Sequence, residues 1–67
     1  MTHEDFKLYL KTICTGYIDD ADDYDFEVTA DSESENLENW WKLSDAGFGF
    51  PEDGVAEKDG YTVLLSC

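Results

Sequence analysis

An apolar, β-branched run closes the chain. Tyr61-Thr62-Val63-Leu64-Leu65-Ser66-Cys67 is β-branched and apolar, follows the turn pair Asp59-Gly60, and predicts a last strand. Period two holds over Asp25 to Ala30. Phe26, Val28 and Ala30 fall on one face and Asp25, Glu27 and Thr29 on the other, as in a half-buried strand. The pattern then changes to a helical one. Ser32 and Glu35 have capping-box spacing, Glu33 and Glu35 fall in the first turn, and Leu37, Trp40 and Trp41 stand at i, i+3 and i+4, with Leu43 nearby. Glu38 and Lys42 form a correctly oriented i, i+4 pair, and the helix is expected to stop near Ser44, before Ala46-Gly47.

Thr2 to Gly16 supports two patterns. As a strand it sets Phe6, Leu8, Leu10, Thr12 and Cys14 against Lys7, Tyr9, Lys11 and Ile13. As a helix it has Thr2 as N-cap with Asp5 behind it, apolar Phe6, Leu10, Ile13 and Tyr17 at helical spacing, and Gly16 as a stop. The strand is preferred, because it leaves one face free of lysine. Tyr17 to Tyr24 reads as an Asp-rich loop able to close a hairpin onto the next segment. Phe48-Gly49-Phe50-Pro51 reads as an irregular aromatic loop, and Glu52 to Gly60 as polar connection. The expected fold is α+β in one small domain, residues 1–67. A small antiparallel sheet of about three strands carries one helix on one face, in the order strand, strand, helix, strand. Leu37, Trp40 and Trp41 would pack on Phe26, Val28, Leu8, Leu10, Val63 and Leu65.

Charge changes this picture more than composition does. Ten of the 17 acidic residues fall between Asp19 and Glu38, where none of the 4 lysines lies, and the chain has no arginine. High net charge usually accompanies disorder, but 42% hydrophobic and 15% aromatic residues supply a core. A chain this short buries only about 60% of its unfolded surface, enough for one core but not for a deep substrate cleft as well. The net charge of −13 argues against direct contact with nucleic acid or an anionic membrane, both of which need cationic side chains. It favours a basic protein surface as partner, reached by electrostatic steering. No apolar run has membrane-spanning length, and no basic start with an apolar segment marks a signal peptide, so the expected compartment is the cytoplasm. Cys14 and Cys67 lie far apart without metal-type spacing and are expected as free thiols, a disulfide between them being the alternative. A monomer is expected. A two-fold dimer through an edge strand is the alternative, which −13 per chain opposes.

Catalytic chemistry is sparse. His3 is the one histidine and lies near the start, no Gly-rich phosphate loop is present, and no arginine is available to clamp an anionic transition state. No enzyme activity and no cofactor are therefore expected. An EF-hand loop begun at Asp23 would have Asp23, Asp25 and Glu27 in alternation, but Val28 stands where glycine is required and Ser34 where glutamate is, so no metal site is assigned, and a weak, non-specific divalent-cation binder at Asp19–Asp25 is kept as an alternative function.

Phosphate mimicry remains. Outward residues two apart on a strand are about 6.6–6.8 Å apart, and neighbouring phosphates along one DNA strand are spaced by roughly 6–7 Å. Asp23, Asp25 and Glu27 would form a phosphate-like row, extended by Asp19, Asp20 and Asp22 on the loop and by Glu33, Glu35 and Glu38 on the helix. Tyr24, Phe48 and Phe50 would add aromatic contacts. The plain alternative is a solubilising face, with any partner bound through the aromatic loop instead.

In size, charge and aromatic content the chain resembles small acidic bacteriophage inhibitors of host nucleic-acid enzymes, which include DNA-mimic anti-restriction proteins, anti-CRISPR proteins, and inhibitors of uracil-DNA glycosylase and of RNA polymerase. Phe26-Glu27-Val28, a helix opened by Ser32, and Trp41 followed four residues later by Ala46-Gly47-Phe48 resemble the short phage inhibitor of bacterial RNA polymerase. The resemblance implies an inhibitor that occludes a basic nucleic-acid-binding surface in the host cytoplasm. The chain departs from that family where Gly49 to Gly60 intervenes before the last strand, and in having no arginine in Tyr61–Cys67.

Overall fold

A computed structural model describes the whole chain, Met1 to Cys67. It is α+β: helix α1 (His3–Ile13), strands β1 (Tyr17–Asp20) and β2 (Phe26–Thr29), helix α2 (Glu33–Asp45), and strands β3 (Gly49–Glu52), β4 (Val55–Lys58) and β5 (Tyr61–Ser66). The five strands form one mixed sheet in the order β1-β2-β5-β4-β3, in which β2 and β5 run parallel and the other pairs antiparallel. The expected antiparallel sheet of about three strands with a single helix is thus corrected to five strands and two helices. The parallel pair requires a long crossover, which α2, β3 and β4 provide.

The opening segment is a helix, not the preferred strand. The Thr2 side chain accepts from the Asp5 N–H at 3.1 Å, Glu4 and Asp5 occupy the first turn, and Lys11 lies in the last. Good helix formers fill the interior, and Phe6 and Leu10, four apart, are fully buried. Leu8, which the strand pattern would have buried, points outward. The helix stops at Cys14, and the chain reverses at Gly16, whose φ of +108° favours glycine. A Cβ there would meet the Thr29 carbonyl oxygen at 2.3 Å.

Helix α2 begins as expected, the Ser32 hydroxyl accepting from the Glu35 N–H at 3.2 Å. It ends in a Schellman motif. Phe48 N–H reaches Leu43 O and Gly47 N–H reaches Ser44 O, each at 3.1 Å, with Gly47 at φ +93°. Leu43 and Phe48 meet inside the core, so Ala46-Gly47-Phe48 is a helix stop that returns an aromatic ring to the interior.

Both helices lie on one face of the sheet. Ile18, Phe26, Val28, Val63, Leu65 and Ala56 share that face by register and pack with Phe6, Leu10, Leu43 and Phe48. Phe6 stacks on Phe26 and on Tyr61, at centroid distances of 5.6 and 4.3 Å. The joint between the layers is polar. Asn39, fully buried, accepts from Thr15 N–H at 2.9 Å and donates through Nδ2 to Thr15 O at 2.9 Å, tying the α1–β1 connection to α2. Segments read as loops contain strands β1, β3 and β4. The Asp59-Gly60 turn, with φ of 54° and 86°, has the positive values a tight hairpin needs.

Candidate functional site

No helix packs on the other face of the sheet, where Asp19, Glu52 and Glu57 are exposed, Glu27 and Leu64 half-buried and Val55 buried. Asp19, Glu27, Leu64 and Val55 align in one row across four strands, and Glu52 of β3 pairs with Val55 at its end. Glu57 pairs with Thr62 in the next row, beside which Asp25 lies one residue before the Phe26–Val63 pair. No base stands among them. Lys7 and Lys11 are on α1 and Lys42 on α2. Lys58 is on β4 but on the helix side, where it donates to Tyr9 Oη at 3.1 Å and to Ala46 O at 2.6 Å, and sits 5.3 Å from the Tyr9 ring centre. Strand alternation therefore sorts the charges, so that every charged residue in these rows is an acid, with Leu64, Val55 and Thr62 between them.

The acidic residues singled out in the sequence do not form one continuous surface. Asp19 and Glu27 share the open face, and Asp22 and Asp23 are exposed at the tip of the β1–β2 hairpin. With Asp20, Ala21 and Leu64, and with half-buried Tyr24, three of these acids (Asp22, Asp23 and Glu27) line a shallow depression of about 280 Å³. Asp20 alternates to the helix side and accepts from His3 Nε2 at 3.0 Å. That hydrogen bond holds its carboxyl below the usual carboxylate value, with smaller help from the charges of Lys7 and His3. The His3 ring in turn stacks on Phe26 at 4.4 Å.

Asp25 is bound within the fold. Its Oδ2 accepts from Thr62 N–H at 2.8 Å and from Thr62 Oγ1 at 3.2 Å, while its own N–H donates to that hydroxyl at 3.1 Å. Glu33, Glu35 and Glu38 belong to the helix layer, where Glu38 pairs with Lys42 at 3.2 Å. They do not extend the Asp19–Glu27 row. Two acids that do lie on the sheet's outer face, Glu52 and Glu57, escaped the sequence reading because their strands were taken for connection. No three of the carboxylate, thiol and imidazole groups converge as metal ligands would.

The aromatic residues are redistributed as well. Phe48 is a core residue, 6% exposed, and is not available to a partner. Phe50 is half-buried and lies flat on Trp40, with centroids 5.1 Å apart and planes 6° from parallel. Leu37 and Trp41, expected in the core, are 56% and 72% exposed. The buried stripe of α2 is Asn39 and Leu43, with Asn36 and Trp40 beside it. Asn39 holds an inward position beside Leu43, so Leu37 and Trp41 are turned outward while Trp40 stays half-buried against the core. Leu37, Trp40, Trp41, Ser44 and Phe50 line an open groove of about 320 Å³.

Cys14 and Cys67 are free, the first buried and the second exposed. Burial pushes the Cys14 thiol up to about 11, against a smaller opposing effect of the Lys42 charge. No helix is long and apolar enough to cross a membrane. The chain matches no protein-family model, no curated protein and no solved structure.

Proposed function

We propose that this protein binds a basic nucleic-acid-binding surface of another protein, in the manner of a phage-type inhibitor, and occludes it by presenting carboxylates in place of phosphates. The observation that carries this reading is the sorting of charge between the layers, with Asp19, Glu27, Glu52 and Glu57 on a sheet face that holds no lysine. A rigid sheet fixes the spacing of these carboxylates before contact, which limits the entropy lost on binding. Asp22 and Asp23 extend the charge onto the hairpin tip, and Asp25 contributes its charge while serving the fold. No catalytic step is assigned to any residue.

The test is capture of a partner from bacterial lysate, elution along a salt gradient, and competition with added DNA or RNA. A nucleic-acid enzyme released at moderate salt and displaced by nucleic acid is the expected result. The combined Asp19→Lys and Glu27→Lys variant should lose it. A partner retained by that variant and indifferent to nucleic acid overturns the reading. It would favour the second one, a module bound through aromatic side chains, which the exposure of Leu37 and Trp41 supports.

A further inference from the structure

The groove on α2 has a polarity of its own. Leu37, Trp40, Trp41 and Ser44 stand at i, i+3, i+4 and i+7 along one side of the helix, and Phe50 of β3 forms the facing wall. Its length along α2 is about 10 Å, seven residues at a rise of 1.5 Å. A partner helix presents a stripe of the same spacing and length. The rim is acidic. Exposed Glu33 lies one turn before Leu37 and exposed Asp45 one turn after Trp41. The only lysine on α2, Lys42, is paired with Glu38. The exposed Trp41 indole offers a π-face that attracts cations.

We infer that this groove receives a basic amphipathic helix of the partner, with apolar anchors seated on Leu37, Trp41 and Phe50 and flanking Lys or Arg residues set against Glu33 and Asp45. It rests on the proposed function in one respect, that the partner is basic. A second copy of the chain fits poorly, because each copy brings −13 and the same acidic rim. An extended strand added to β3 fits poorly too. Pro51 has no N–H to donate, and the β3–β4 register is irregular between Gly49 and Glu52.

Trp40 and Trp41 are the only tryptophans and both line the groove, so their emission reports its occupancy directly. The probe is a synthetic Leu/Lys peptide with leucines at i, i+3, i+4 and i+7, compared with the same peptide carrying serine for every leucine. The leucine peptide is expected to shift tryptophan emission to the blue and to bind at least about tenfold more tightly than the serine peptide. Leu37→Ser with Trp41→Ser should remove that advantage, whereas Asp19→Lys with Glu27→Lys, on the other layer, should leave it intact. Equal binding of the two peptides overturns the inference, since charge alone would then account for it. So does an undiminished leucine-peptide advantage in the groove variant. A blue shift that grows with protein concentration in the absence of peptide also overturns it, because the groove would then be covered by a second copy. Retention of the partner by the sheet-face variant, indifferent to nucleic acid, overturns the proposed function alone, so the two readings fail separately.

Discussion

Asp25 separates a carboxylate that builds the fold from one that merely carries charge. Replacing it with alanine removes two hydrogen bonds to Thr62, of which the 2.8 Å bond from the backbone N–H is the stronger. A hydrogen bond to a charged acceptor contributes about 1.5–3 kcal/mol. Both residues are half-buried, which places the loss near the lower end, at about 1.5–2 kcal/mol. A domain of this length has about 3–10 kcal/mol of stability in total. Each kcal/mol moves Tm by about 4–8 °C in this size range, so Asp25→Ala should melt roughly 6–16 °C lower. Removing an acid from a chain at −13 also relieves repulsion, which acts in the opposite direction. Asp23→Ala removes the same charge from an exposed position and measures that relief. The assay is thermal melting by circular dichroism on Asp25→Ala, Thr62→Val and the double variant, with Asp23→Ala as reference. The backbone bond survives Thr62→Val, so the coupling reports the hydroxyl contacts alone and is expected at about 0.5–1 kcal/mol. If Asp25→Ala melts with Asp23→Ala and the coupling vanishes, the clasp contributes nothing and Asp25 is a surface charge like its neighbours.

Three further outcomes follow from the same structure. Asn39→Ala strands the Thr15 N–H and carbonyl and leaves a small void, so urea unfolding should show a loss of about 2–4 kcal/mol. A thiol reagent at pH 8 should modify Cys67 and spare Cys14 until urea opens the fold, as mass spectrometry would show; rapid double labelling of the native protein would contradict the buried, raised thiol. The Asp20 carboxyl is held low in the folded state, so the stability it contributes is present above the ordinary value of 3.8 and is lost as pH falls through the folded value. The Tm gap between the parent and Asp20→Asn should therefore close on acidification below that point, and a gap that widens there would refute the His3 hydrogen bond as its cause.

The elements legible in the sequence are those whose local signals agree with their tertiary role. In β2 and β5, period or composition matched burial, and Ser32 and the Asp59-Gly60 turn had chemistry suited to their positions. α1 was misread because Phe6, Leu8 and Leu10 alternate by accident of composition. The Thr2 cap and the helix-forming Glu, Lys and Leu residues decide the outcome, and Leu8 is left in solvent. β1 and β4 are four residues each and take their stability from neighbours, not from any pattern of their own. The candidate site was legible as a density of acids but not as a surface. Which acids share a face depends on the parallel pairing of β2 with β5, a contact between residues 37 positions apart in the chain (Phe26 and Val63) that no local window contains. The groove was invisible for a related reason. A Leu-Trp-Trp stripe is ordinarily a core stripe, and the burial of Asn39, held by its partner Thr15, turns Leu37 and Trp41 outward.

The lysines on the helix layer do not cancel the acidic sheet face at physiological salt. The shortest dimension of the molecule is 20 Å, and the screening length near 0.15 M salt is about 8 Å. Lys7, Lys11 and Lys42 lie on the far layer, and the charge of Lys58 is directed inward against Tyr9 and Ala46. A partner approaching the sheet therefore meets Asp19, Glu27, Glu52 and Glu57 with little compensation, while one approaching α2 meets an apolar groove with a weaker acidic rim. Salt should consequently weaken the two contacts unequally. A partner on the proposed sheet surface would lose affinity steeply, because charge supplies most of that contact's energy, whereas one in the proposed groove would keep the part that comes from burying Leu37 and Trp41. A partner using both surfaces would be steered by the first and held by the second, since long-range charge acts mainly on the rate of encounter and desolvated aromatic contact mainly on the rate of release.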